Sequence, residues 1–149
     1  MQLREYWGLG VNTVNNLQYE MEKNGILITG FDAEDEKVDA FSQRIIIDEN
    51  IVYIVVLSIG NKSKSRINFD IAHELGHILL HPWTEDLETL SNDEFRAREK
   101  QANIFAGAFL LPKNSFIEDI KLYPTDLDYY QHLKKKWNCS IQVMIYRTH

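Results

Sequence analysis

The spacing of apolar and polar positions changes along this chain in a way that predicts helices, then strands, then helices again. Residues 2–9 (QLREYWGL) and 13–24 (TVNNLQYEMEKN) read as helices, with Asn12 placed to cap the second and Gly25 where a left-handed C-terminal cap would sit. A strand begins at ILITGF, residues 26–31. Two further runs, Val38 to Asp48 and Ile51 to Ile59, are rich in Val, Ile, Phe and Tyr and are separated by Asp48 to Asn50, the pattern of a hairpin in a small antiparallel sheet. The polar stretch GNKSKSR at 60–66 predicts a connection, after which Asn68 caps a helix that stops at Pro82. A long helix is predicted from Asn92 to Leu111: Ser91 and Glu94 have capping-box spacing, and Pro112 marks the end. Shorter tail helices follow Thr125 or Asp126, and Ser140.

There is no repeat, low-complexity tract or Pro/Gly-rich linker, so residues 1–149 are expected to form a single domain. The helical pattern still runs at VMIYRTH, which predicts a domain trimmed from a longer protein. The acidic run at 32–37 reads as a solvated turn, because its carboxylates lack the ligand spacing of calcium loops.

Composition narrows the partners. The chain has 16 basic and 22 acidic residues, net charge −6. No global positive field exists to attract nucleic acid or an anionic membrane. The one cysteine, Cys139, has no second thiol for a disulfide or metal site and is expected to be buried as a small apolar residue. With no leading signal-like or membrane-spanning apolar stretch, a cytoplasmic location is expected. Nothing in the composition indicates an oligomeric state.

The candidate chemistry lies in FDIAHELGHILLHP, residues 69–82. Residues four apart on a helix share a face about 6 Å apart along the axis, so both imidazoles of His73 and His77 can reach one metal at about 2 Å. Glu74 is rotated about 100° from His73, off the ligand stripe but able to lean over a water beside the metal as a general base. Ala72, Leu75, Ile78 and Leu79 already supply an apolar face, so the ionisable residues are not needed for packing. A third ligand is required. The acids downstream are Glu85, Asp86, Glu88, Asp93, Glu94 and Glu99. Phe95, Ala102, Phe105, Ala106 and Phe109 define a buried stripe on the second long helix, and Glu99 falls within that arc, where a carboxylate is costly unless paired or metal-bound. Asn103, one turn on, can hold a ligating imidazole from behind. His81 encloses only ILL with His77 and ends at Pro82, so it reads as a helix-end residue at the negative pole of the dipole.

Taken together, LREYWGLGVNTVNNLQYEMEKNGILI, VDAFS, SRINFDIAHELGHILLHP and EKQANIFAGAFLLP resemble the ImmA/IrrE-type metallopeptidases of bacteria and their mobile elements. The resemblance implies an α+β, zincin-like fold, in which a small antiparallel sheet packs against an HExxH helix and a second ligand-bearing helix. It implies zinc held by His73, His77 and Glu99, with Glu74 as catalytic acid/base and Asn103 as support. It also implies cleavage of a partner transcriptional repressor with an Xre-type helix-turn-helix, relieving repression. The alternative is a non-proteolytic zinc-binding module that inactivates a repressor by binding it. A deformylase would need a cysteine ligand upstream of HExxH, and an aminopeptidase an acidic site for the substrate amine; neither is present as a motif. Arg66, Tyr53, His132, Tyr129 and Tyr130 are candidate oxyanion or substrate contacts. The strand Ile51–Ile59 is a candidate edge for backbone pairing with substrate, as it precedes the active helix.

Overall fold

A computed structural model describes residues 2–32, 39–83 and 89–148. Along it run α1 (Gln2–Tyr6), α2 (Leu17–Lys23), β1 (Ile26–Phe31), β2 (Ala40–Ile47), β3 (Asn50–Ser58), α3 (Lys64–Leu80), α4 (Asn92–Leu110), α5 (Lys113–Ile120), α6 (Leu127–Trp137) and α7 (Ile141–Thr148). The α+β class expected from the sequence is the class observed. The acidic run 32–37 lies almost wholly outside the described residues, as do Glu85, Asp86 and Glu88.

β2 and β3 form the expected antiparallel hairpin, closing through Asp48 and Glu49 with φ of 47° and 66°, a two-residue turn whose left-handed backbone matches the strand twist. β1, however, pairs parallel to β3, and the order is β1-β3-β2. The sheet is therefore mixed rather than antiparallel throughout. Three successive strands look like a meander in sequence, and no local signal says on which side of the hairpin the first will lie. The apolar β3 takes the centre, burying Val55 and Leu57. That placement overturns the expectation that Ile51–Ile59 is an edge: its backbone is paired on both sides. The free edge beside α3 belongs to β2.

Several caps differ from expectation. α2 starts at Leu17 because Asn16, not Asn12, accepts the Tyr19 amide at 3.1 Å. Asn12 instead gives its carbonyl to the Arg4 guanidinium, which also binds Gly10 O and Phe109 O and ties α1 to the end of α4. Gly25 has the left-handed φ expected of it, +83°. α3 begins a full turn before Asn68, capped by Ser63 through the Arg66 amide. Its polar first turn is held by charge: Lys62 and Arg66 both pair with Asp39 and with the buried Asp70. A solvated polar turn of helix has the composition of a loop, and only these partners distinguish it. α4 has the expected Ser91/Glu94 capping box and ends before Pro112. α6 and α7 follow Asp126 and Ser140 as expected, whereas α5 carried no capping signal and indeed has no side-chain cap. Cys139 is buried, and burial pushes its thiol pKa up to about 12.

The core lies between the sheet and the helices, with Leu17, Met21, Val55, Ile71, Leu75, Phe109 and Phe116 fully enclosed. Each such side chain contributes about 1.5–3 kcal/mol relative to exposure. The contact that positions the site is α3 against α4. Ala72, Ala102 and Ala106 have no exposed surface there, and a Cβ added at Gly76 would stand 3.1 Å from Ala102 Cα and 3.3 Å from its carbonyl oxygen. Those obstacles are backbone, not flexible side-chain ends. Gly76→Val is expected to force the helices apart and destabilise the chain by about 1–3 kcal/mol, the usual cost of overpacking, measured by urea unfolding; wild-type stability in this variant would mean the approach is not tight.

Candidate metal centre

His73 and His77 occupy successive turns of α3 and point toward α4, where Glu99 lies one turn before the Ala102 contact. Burial on α4 begins at Ala102, so Phe95 is exposed and Glu99 stands at the rim of the interface rather than inside a buried stripe. The three side chains nevertheless meet. The two Nε2 atoms are 3.0 Å apart, His73 Nε2 is 3.4 Å from one Glu99 oxygen and His77 Nε2 is 3.1 Å from the other. Four-coordinate ligands at about 2.0–2.2 Å from a zinc-sized ion are separated by about 3.3–3.6 Å. The His–His distance and the two His–Glu99 distances, one to each carboxylate oxygen, are close to that separation. Among the described residues this is the His/Cys/Asp/Glu group that can hold a metal.

The partners of the outer ring nitrogens reinforce the fit. His73 Nδ1 lies 3.0 Å from Asn103 Oδ1, an acceptor, so a proton on Nδ1 satisfies this contact and leaves Nε2 as the nitrogen that can serve a metal. On the other side, His81 Nε2 donates to Gln101 Oε1 at 3.0 Å, leaving His81 Nδ1 to accept from His77 Nδ1 at 2.8 Å. His77 Nε2 is then the nitrogen that can serve a metal. With the inner positions held by Nε2 protons the two rings hydrogen-bond Glu99; with those protons lost, two lone pairs and a carboxylate face a common point that a cation would occupy. His81, expected only as a helix-end residue, is thus the support of His77. The i,i+4 spacing from His77 signalled this in the sequence; Gln101, on another helix, could not be found that way.

The electrostatics divide the two carboxylates. Hydrogen bonds from His73 and His77 outweigh burial and hold Glu99 well below the usual carboxylate range, so it stays ionised. Burial acts against charge on His73, but the Glu99 hydrogen bond and charge, with Glu74 and Asn103, raise its pKa overall. A proton and a metal therefore compete for its Nε2, and acid favours the proton. Glu74 behaves oppositely to Glu99. Burial raises its pKa, aided by the charge of Glu99 and opposed by a Ser42 hydrogen bond and the two histidines. A carboxylate so raised is a better proton acceptor near neutral pH. Ser42 belongs to β2, and nothing in its local sequence marks it.

The remaining candidates are placed less centrally. The Arg66 guanidinium is engaged by Asp39 and Asp70. Tyr53 packs its ring on Trp83, centroids 5.5 Å apart. Tyr129 and Tyr130 give their hydroxyls to the carbonyls of Asp119 and Pro124, and His132 stacks on Tyr129. None of these five has a described contact with the triad.

Compared with known protein families, residues 21–149 match the peptidase family described as IrrE N-terminal-like domain. The chain belongs to this family. Its function is accordingly of metallopeptidase type, and the His/His/Glu group is where a family metal would be held. Among curated proteins, none matches the chain. No helix among the described residues is long and apolar enough to cross a membrane.

If His81 supports His77, His81→Ala should retain a metal site but weaken it about 10–100-fold, the usual effect of losing an outer partner, whereas His73→Ala should abolish it. Competition with a chromogenic chelator measures both; equal affinity in His81→Ala and wild type would remove His81 from the site.

Proposed function

We propose that the chain is a zinc-dependent endopeptidase that hydrolyses a peptide bond in a partner protein, a helix-turn-helix repressor of the Xre type. The observation that carries this reading is the triad of His73, His77 and Glu99 beside a buried carboxylate with a raised pKa, in a chain of a peptidase family. Two imidazoles and one carboxylate are a donor set that zinc adopts in catalytic sites, where it leaves a fourth position open. The triad is reachable from solvent: His73 and His77 side chains are 15% and 19% exposed and Glu99 38%. The repressor as substrate rests on the resemblance to ImmA/IrrE-type peptidases.

A bound metal supplies a more acidic water and polarises the scissile carbonyl. Glu74 takes the proton of the attacking water and returns it to the leaving amine. Ser42 of β2 interacts with the Glu74 carboxylate, so this buried acid of α3 lies next to the sheet. β2 also offers a means of aligning substrate. The Ser58 amide bonds to Asp39 O, and alternation along an antiparallel pair then directs the peptide groups of Ala40, Ser42, Arg44 and Ile46 away from β3. An extended polypeptide can add to that edge by main-chain hydrogen bonds.

Glu74→Gln should bind metal as wild type does and lose cleavage of a repressor encoded beside this gene by at least about 100-fold, the low end for removing a general acid/base. Gel analysis of the repressor, with metal content measured in parallel, reads the result. Cleavage undiminished in the variant would sink the assignment of Glu74. Repressor inactivated without being cut, by both proteins alike, would favour the binding module instead.

A further inference from the structure

Acids outnumber bases in this chain by 22 to 16, yet one surface beside the triad reverses that balance. A cavity of about 800 Å³ opens between the first turns of α3, the middle of α4, and α7, and Asn103, the residue holding His73, is part of its wall. A second hollow of about 490 Å³ adjoins it, sharing Ser63, Ser65 and Lys134. Their walls include Lys64, Arg66, Lys100, Lys134, Lys135 and Arg147, and no Asp or Glu. Arg66 is matched by Asp39 and Asp70, and Arg147 gives its Nε to Leu111 O. The four lysines have no carboxylate partner among the described residues. Between the cations the surface is apolar: Phe69, Ile104, Val143 and Tyr146 line the larger cavity, with Ile104 61% and Tyr146 75% exposed.

Uncompensated lysines around exposed apolar side chains complement a ligand that is both anionic and greasy. A polynucleotide would meet the charge but offers regular phosphates and flat bases, and the chain's net charge of −6 opposes its approach. A polypeptide carrying Asp or Glu beside a large apolar residue meets both, and Asn103 in the cavity wall stands one hydrogen bond from His73. Phe69, one turn before His73, and Lys100, adjoining Glu99, link the cavity to the triad along both helices. We propose that this basic hollow is the specificity site for substrate, binding an acidic segment with an apolar side chain adjacent to the scissile bond. The proposal rests on the metallopeptidase function above and names the substrate chemistry of that site.

The test separates binding from cutting. A fluorescent peptide of alternating Glu and Phe is titrated into the zinc-loaded Glu74→Gln chain and into the same chain carrying Lys100→Glu and Lys134→Glu. Binding should weaken at least about tenfold on reversing the two charges, fall with added salt, and be lost when Gln replaces Glu in the peptide. Equal binding of the Gln peptide, no effect of charge reversal, or tighter binding of a single-stranded oligonucleotide of the same charge would each overturn the proposal. Metal content reports whether the double variant is folded; should it fall, Lys134→Glu alone, on α6 and away from the ligands, replaces it and should still weaken binding. Separately, the zinc-loaded wild-type chain is given random peptides and its cut sites are read by mass spectrometry. Acidic residues enriched beside the cuts support the proposal, and cuts without that enrichment overturn it. A wild type that binds the Glu/Phe peptide but cuts nothing would reject the peptidase function while leaving the hollow's ligand chemistry standing.

Discussion

The approach of α3 to α4 at Gly76 and Ala102 is the constraint on which the rest of the site depends. Helices carrying ordinary side chains at their contact pack about 8–10 Å apart, and small residues bring the axes to the short end of that range. Here a Cβ on the glycine would stand 3.1 Å from Ala102 Cα and 3.3 Å from its carbonyl oxygen, closer than ordinary packing. His73 and His77 are related to each other by helix geometry alone, but Glu99 is related to them only through this contact. A small widening would take its oxygens beyond the span that one ion can bridge. Gly76, between Glu74 and His77 of HELGH, thus serves the meeting of His73, His77 and Glu99 without touching them.

Around that contact, a few groups with similar intrinsic acidity are driven to different states by their surroundings. Glu99 gains two imidazole partners and stays charged; Glu74, buried against β2, has its charge disfavoured. Two carboxylates with pKa values pushed apart suit two roles, ligand and proton carrier, within one site. The imidazoles are similarly oriented by Asn103 on one side and by His81 with Gln101 on the other, which engage the outer nitrogens and turn both Nε2 atoms toward Glu99. Inside the group, His73 and His77 lie within hydrogen-bonding distance of Glu99 and of each other, contacts that a bound cation would replace.

The layout also flanks the His/His/Glu group with two unlike surfaces on an otherwise acidic protein. β2 leaves one sheet edge unpaired among the described residues, on the side where Ser42 meets Glu74. The lysine-lined hollow opens on the other side, by Asn103. A chain lying across the triad would meet main-chain hydrogen-bonding groups at one flank and side-chain chemistry at the other. Affinity from the first is independent of sequence, and selectivity has to come from the second.

Local rules settled much of this in advance. The HExxH spacing put His73, Glu74 and His77 in fixed relation because a helix is periodic, and the Ser91/Glu94 box and Pro112 bounded α4 because capping is a matter of neighbouring residues. The β2–β3 hairpin followed from two apolar runs and a short turn. Glu99 and Asn103 were legible because each lies at helical spacing from the apolar face of α4, though the supposed burial of Glu99 was too strong. What local rules could not reach are contacts between residues far apart in sequence: β1 joining β3 in parallel and displacing β3 from the edge, Ser42 on Glu74, Gln101 behind His81, and four separate helices bringing their cations to one cavity. The sequence alone determined which groups could do the chemistry, since identity and short-range spacing are written in it. Tertiary structure decided which of them meet, because distances across the fold are set by packing that no single segment contains.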